Sequence, residues 1–416
     1  MRAVTKRVAS QVLASRLRGL GDRAVRLAAP AGAPLAHAAG PDTDRVLVVG
    51  CGPTTAGPAP TVDEAMPGRL ARRLVTATGR GTLVEAPAAG HAPLRDVVAH
   101  LAARDLSAHD GVVVVLGLDD AAAVWTDTAW TALLGDLVDT VERVGSASTE
   151  LVVVGLPRPS AVPGLDLPAG GIADRWVDEV GDLTRDALAD RELAVVVPAP
   201  VPPSGVDPDS DADDAHRLLA EAVVRGLARR LTRHAEEADR GLAPSRAARL
   251  APQPVERLLA DPTGARLRDG ERPPRLDAIV AHARALFGTQ GASFTVLDDR
   301  VQWNVGRDGH DEESRPIERS LCRTTITASR PYVASSGEDG EPLLPDSDLH
   351  FYAGYPVESP DGTRIGALCV FDSHPRPTDT VDLDLLRDLA LAIQREVWAT
   401  EQDATGAGTL DDELTA

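Results

Sequence analysis

Among the residues able to do chemistry, Cys322 has the most suggestive surroundings. It stands in RSLCRTTI, where a helix is expected to begin, with Arg319 and Arg323 close by. A helix start and cationic neighbours lower a thiol pKa, and a thiolate supports redox sensing or covalent attachment of a chromophore. The competing role is that of a small buried apolar residue, the commoner fate of a free thiol. Asp213 and His216 lie three residues apart and are the types a general acid–base pair needs. His216, however, falls inside the helical pattern HRLLAEAV. His310 and His350 are the right type for an axial haem ligand, but both read as surface or turn residues. Cys51, Cys322 and Cys369 are scattered, with no spacing typical of zinc or of a disulfide framework. No metal site is expected, and the sequence names no cofactor.

The elements that would position these groups fall into two patterns. Residues 1–44 form a basic helix or arm; Val8, Val12, Leu13 and Leu17 share one side of it. Over residues 45–235, short apolar runs at 46–49, 82–85, 112–116, 151–154 and 194–197 alternate with amphipathic stretches. Continuous apolar strands separated by helices imply an α/β domain, a doubly wound parallel sheet covered on both faces. Residues 236–272 are charged and broken by Pro and Gly, a linker in which a short helix is expected near Val255–Leu259. From 273 to 401 the order is helix, strands, helix, which implies an α+β domain with an antiparallel sheet flanked by helices. DGT at 361–363 reads as a hairpin turn, and residues 402–416 as a disordered polar tail.

The whole chain has 416 residues and a net charge of −20, which gives it no general attraction for nucleic acid or anionic membrane. The first thirty residues differ, with Arg2, Lys6, Arg7, Arg16, Arg18, Arg23 and Arg26 against Asp22 alone. Those arginines interrupt any secretory h-region. Apolar runs such as VVVVLGL at 112–118 are far too short to span a membrane. No transmembrane segment is expected, and scattered cysteines suit a reduced cytoplasmic setting.

The C-terminal segment resembles the GAF family. The stretches that carry the resemblance are VERLLADP, LDAIVAHARALFGTQGASFTVLDDRVQWNVGRDG, RPIERSLCRTTI and LHFYAGYPVESPDGTRIGALCVFDSHPR, in that order. The resemblance implies a small-molecule sensor or a dimerisation module, with a pocket between the sheet and a mid-domain helix. SGEDG after PYVAS departs from the acidic pair many relatives carry there. Candidate pocket residues are Trp303, Cys322, Tyr332, Phe351, Tyr352 and Phe371. Aromatics make up only 3% of the chain, so four rings within 351–371 are a concentration; core packing is the competing explanation.

Residues 45–235 resemble SGNH (GDSL-type) hydrolases, a flavodoxin-like architecture. RVLVV runs into the glycine turn GCGPTTAG, Gly90 follows the second strand, and strand three runs into GLDDAA. The resemblance implies a serine after the first strand, but Cys51-Gly52 stands there, with Thr54 nearby as another nucleophile type. Gly90 keeps the place of an oxyanion-hole backbone donor. Asp119 replaces the donor Asn, and a carboxylate there repels a developing oxyanion. His216 lies in the wrong register for the family's base. The glycines after strand one also loosely match a dinucleotide-binding turn, but Pro53, Pro58 and Pro60 intervene before the next helix.

The reading that follows is a cytoplasmic regulatory protein. Its GAF domain would bind a small molecule or mediate self-association as a homodimer, and its SGNH-like domain would be inactive. The competing reading is a GAF-regulated, divergent esterase or lipase-like hydrolase. A purely structural dimer is a third, with Leu383, Leu386, Leu389, Ile393 and Val397 as its seam.

Overall fold

The computed structural model describes residues 11, 15, 33–50, 59, 61–87, 92–124, 126–161, 170–200, 208–242, 262–270, 272–328, 331–336, 340–345, 347–359 and 363–413. They belong to two compact units, one of residues 1–40 and 44–243, the other of 41–43 and 244–416.

In the first unit, strands β1 (Leu35–Ala38), β2 (Asp44–Gly50), β3 (Thr82–Glu85), β4 (Gly111–Val115), β5 (Glu150–Val154) and β6 (Ala194–Val197) form one sheet in the order β1-β3-β2-β4-β5-β6. The five expected strands are there and pair in parallel. The sheet is nevertheless mixed, because β1 pairs antiparallel with β3. That corrects the all-parallel expectation; β1 lies in the segment read as a basic arm, where LAHA carries too little apolar signal to announce a strand.

Successive β residues point to opposite faces, so each Val-rich strand feeds two cores. Val112 and Val114 pack with α2 (Leu94–Ala102), α4 (Asp127–Val144) and α5 (Gly170–Leu188) through Leu101, Leu137 and Trp176. Val113 and Val115 pack with α1 (Met66–Thr78) and α6 (Pro208–Asp239) through Leu70, Val223 and Leu227. A short helix, α3 (Leu118–Ala123), follows β4. Thr126 caps α4 by accepting the Ala129 N–H.

The second unit holds α7 (Pro262–Arg268), α8 (Leu276–Phe287), β7 (Gly291–Leu297), β8 (Val301–Asp308), β9 (Ser314–Pro316), α9 (Leu321–Thr327), β10 (Tyr332–Ser335), β11 (Phe351–Glu358), β12 (Arg364–Asp372) and α10 (Leu383–Glu413). Its six strands are ordered β10-β11-β12-β7-β8-β9, every pair antiparallel. The helix α10 runs through most of the segment expected to be a polar tail. Leu386, Ile393 and Val397, proposed as a dimer seam, are buried within their own domain. Trp398 beside them donates to the Glu358 carbonyl at 2.6 Å. The short helix expected near Val255–Leu259 and the DG of the 361–363 turn lie outside the described residues. Among the described residues, no helix is long and apolar enough to cross a membrane.

Candidate functional site

A cavity of about 350 Å³ opens in the second unit, between the sheet and α9. Its floor comes from alternate residues of neighbouring strands: Ser293 of β7, Gln302 and Asn304 of β8, Tyr352 of β11, and Cys369 and Phe371 of β12. Leu321 and Cys322 of α9 form one wall, and the rim carries His310, Glu312, Arg315, Asp348 and Asp372.

The β8 sequence VQWNV inverts the usual burial pattern. Gln302 and Asn304 are buried while Trp303 between them is 37% exposed. Period-two alternation makes this a consequence of register: whichever face takes the amides must turn the indole out. Buried amides need partners, and these have them. Gln302 donates to Asn304 Oδ1 at 2.8 Å, Asn304 donates to the Glu312 carbonyl at 2.8 Å, and the Ser320 hydroxyl donates to Gln302 Oε1. Ser320 also caps α9 by accepting the Arg323 N–H.

Cys322 and Cys369 face each other across the cavity floor with their sulfurs 3.9 Å apart. The Tyr352 hydroxyl donates to Cys322 Sγ at 3.4 Å and lies 2.7 Å from Thr325 Oγ1. The Cys369 thiol beside it, together with the Thr295 and Tyr352 hydroxyls and the Arg315 charge, brings Cys322 down to about 7 against the upward push of burial. Cys369 is driven the other way, by the Cys322 sulfur first and by burial second. His310 packs edge-on against Phe371, ring centroids 5.2 Å apart, and burial lowers its pKa. At the far end of α9, the buried Arg364 of β12 donates to the carbonyls of Ile326 and Ala328 at 2.9 and 2.8 Å. It thereby satisfies acceptors that a helix end leaves open.

Of the residues expected in a pocket, Cys322, Tyr352 and Phe371 line the cavity together. Tyr332 stands behind Tyr352, ring centroids 5.8 Å apart, and does not line it. Phe351 faces away from Tyr352 on β11 and is buried under the Arg376 guanidinium, 5.8 Å from its ring. Trp303 points outward and donates to Asp298 at 3.1 Å. Sequence reasoning passed over Cys369, Gln302, Asn304 and Arg315. Cys369 is two residues from Phe371 and so shares its face, and the polar–aromatic–polar order of β8 is the signal of a polar interior.

In the first unit, Asp119 is exposed on α3. Its neighbour Asp120 is buried, accepting the Leu94 N–H at 2.7 Å and the Gly117 N–H at 2.8 Å. Burial pushes the Asp120 carboxyl up to about 6 despite those bonds. His216 is buried within α6. Cys51, Thr54 and Gly90 lie outside the described residues, as does the Asp213 side chain. β2 ends at Gly50, whose φ of 110° is a conformation that suits glycine, and a Cβ there would collide with the Val115 carbonyl. Glu85, fully buried at the end of β3, is met by Arg45 Nε, by Arg104 Nη2 at 3.2 Å and by His109 Nε2 at 3.2 Å. Among the described residues no cluster of three metal-ligating side chains occurs.

No protein-family model matches the chain. A cyclic di-GMP phosphodiesterase of Pseudomonas aeruginosa is 27% identical over 128 residues, 29% of this chain and 22% of that protein. The chain thus spans about a fifth of the length of that curated relative. A free methionine-R-sulfoxide reductase from Neisseria meningitidis, solved with its substrate, is 18% identical, covering 37% of this chain and 98% of its own at a TM-score of 0.27. The GAF domain of an Acinetobacter phosphoenolpyruvate-protein phosphotransferase is 13% identical, covering 38% and 99% at 0.26. The second GAF domain of DevS from Mycobacterium smegmatis is 15% identical, covering 35% and 99% at 0.25. Solved GAF domains are thus similar to about a third of the chain.

Proposed function

We propose that this chain is a sensory or regulatory protein whose GAF-type C-terminal domain binds a small polar molecule in the cavity between its sheet and α9. The observation that carries the reading is the lining. A cavity of about 350 Å³ falls within the range of small-ligand sites, roughly 300–1,000 Å³. Packing alone gives no reason to bury Gln302, Asn304 and Ser320 in an oriented hydrogen-bonded chain. Of the three carboxylates that line it, Glu312 is ion-paired with Arg315 and Asp372 with Arg376, and Asp348 adds a further acid. Electrostatic complementarity therefore favours a ligand with a protonated amine or several N–H donors, and disfavours a polyanion. In this reading the SGNH-like unit is a scaffold without hydrolase activity, which fits the exposed Asp119 at the place of an oxyanion donor.

The test is thermal unfolding and calorimetry of the full chain against amine-bearing and amide-bearing metabolites. An amine ligand should raise the unfolding temperature in the parent, with the effect reduced about tenfold in affinity by Gln302→Leu, through loss of one or two hydrogen bonds. If no compound shifts the parent and Gln302→Leu raises stability, the buried amides have no ligand to serve and the reading fails. The hydrolase alternative is read separately, by short-chain ester turnover in the parent and in a Cys51→Ala/Thr54→Ala variant. Turnover lost in the variant would make the first unit a working enzyme.

A further inference from the structure

Two thiols meet where the α9 wall of the cavity rests on its floor, and the proposed ligand reading does not use them. Cys322 comes from α9 and Cys369 from β12, so nothing local in the chain brings them together; the fold does. Their sulfurs stand 3.9 Å apart, and a disulfide requires ~2.05 Å. Both side chains line the same cavity, although each residue is only 2–3% exposed. The route to both sulfurs is therefore the cavity.

The surroundings divide the labour. Cys322 receives the Tyr352 hydroxyl at 3.4 Å, and Arg315 lines the same space. Cys369 Sγ lies 3.4 Å from the Ser293 carbonyl and 3.9 Å from Cys322 Sγ, two acceptors that suit its staying protonated. A thiolate attacks and a neighbouring thiol resolves.

We propose that Cys322 and Cys369 are a reaction site for a small hydroperoxide, which converts them into a disulfide across the cavity floor. The Cys322 thiolate attacks one peroxide oxygen; an S–O bond forms and the O–O bond breaks. The leaving oxygen takes up a proton from solvent, equivalent to the one Cys322 lost, and departs as water or an alcohol. The Cys369 sulfur then attacks the sulfenic sulfur; the S–S bond forms and the S–O bond breaks. The hydroxide released combines with the Cys369 proton as water. One hydroperoxide and two thiols give one disulfide, one alcohol or water, and one further water, with both electrons supplied by the thiols.

This inference rests on the proposed reading only in needing the cavity to admit small molecules. The experiment treats the reduced full chain with one equivalent of hydrogen peroxide and maps the peptides by mass. The expected product is a Cys322–Cys369 cross-linked peptide two hydrogens lighter than its reduced parts, with Cys51 retained as a thiol. Cys369→Ser should stop at a sulfenic acid on Cys322, trapped by dimedone, and Cys322→Ser should leave Cys369 unmodified. A parallel sample receives methyl methanethiosulfonate, a small thiol reagent. Labelling of Cys322 without any peroxide-driven cross-link overturns the dithiol site and leaves the open cavity standing. Absence of both reactions until the protein is unfolded overturns the open cavity as well.

Discussion

Tyr352 carries its hydroxyl into the space that a Cβ on Gly354 would fill, two residues along the same face of β11; Thr325 Oγ1 would stand 2.7 Å from that carbon. The bare backbone at Gly354 lets the ring lie along its strand and reach Cys322. Gly354→Ala forces the hydroxyl or α9 to move. Overpacking of this kind costs about 1–3 kcal/mol, and the hydrogen bond to Cys322 goes with it. Urea unfolding should show the loss of stability, and iodoacetamide labelling of the folded protein should show a slower Cys322.

The pH dependence of that labelling is a second prediction. The groups facing Cys322 are Cys369, Thr295, Tyr352, Arg315 and the cavity's His310, Glu312, Asp348 and Asp372. Since its pKa is brought down to about 7 from an ordinary 9.0, the labelling rate should climb through neutrality and level off by about pH 8. Cys369→Ala removes the first cause of the lowering, so the midpoint should move up. A parent midpoint unchanged by that variant would mean that the second sulfur does not support the thiolate.

Glu85 concerns stability alone. It is a buried carboxylate facing two guanidiniums and an imidazole, and Arg45, His109 and Arg104 hold its pKa well below the usual range although burial opposes them. Removing one partner of such a group leaves uncompensated buried charge and costs about 3–5 kcal/mol. Glu85→Gln should therefore unfold at lower urea than the parent at pH 7. The folded pKa is depressed, so the carboxylate's contribution is full above its ordinary 4.5 and is lost as pH falls below it. The gap between parent and variant should accordingly narrow on acidification. A gap that stays constant would contradict the ionised state assigned to Glu85.

Asp120 should behave oppositely. Its folded pKa is raised from 3.8 to about 6, so the folded state holds a proton that the unfolded state has released. Between those values stability falls as pH rises, by about 1.4 kcal/mol per pH unit in this residue's contribution. Asp120→Asn lacks that slope. The variant should gain on the parent from pH 4 to pH 6, and parallel curves over that window would mean that Asp120 ionises normally in the fold.

Much of the architecture is legible from periodicity. The Val-rich strands of the first unit announce themselves, because a strand buried on both faces has no polar residue to interrupt it. LAHA does not, being a four-residue edge strand whose place is fixed by pairing with β3. In the cavity, aromatic type was a poor guide and face was a good one. Tyr352 and Phe371 look inward, while Phe351 and Trp303, equally aromatic, fall on the other side of their strands. Cys369 was hidden for a different reason: its partner lies forty-seven positions away, and only the β11–β12–β7 register brings it beneath α9.

Arg364 gives the cavity a fixed edge. By holding the last carbonyls of α9 from the first residue of β12, it fastens the strand that bears Cys369 to the helix that bears Cys322. Wall and floor are clamped at that end, so a molecule bound as proposed would have little room to work them apart there. The rim of the cavity is built elsewhere, from His310–Arg315 and Ser347–Leu349. In the proposed reading, a ligand would press against that clamped corner.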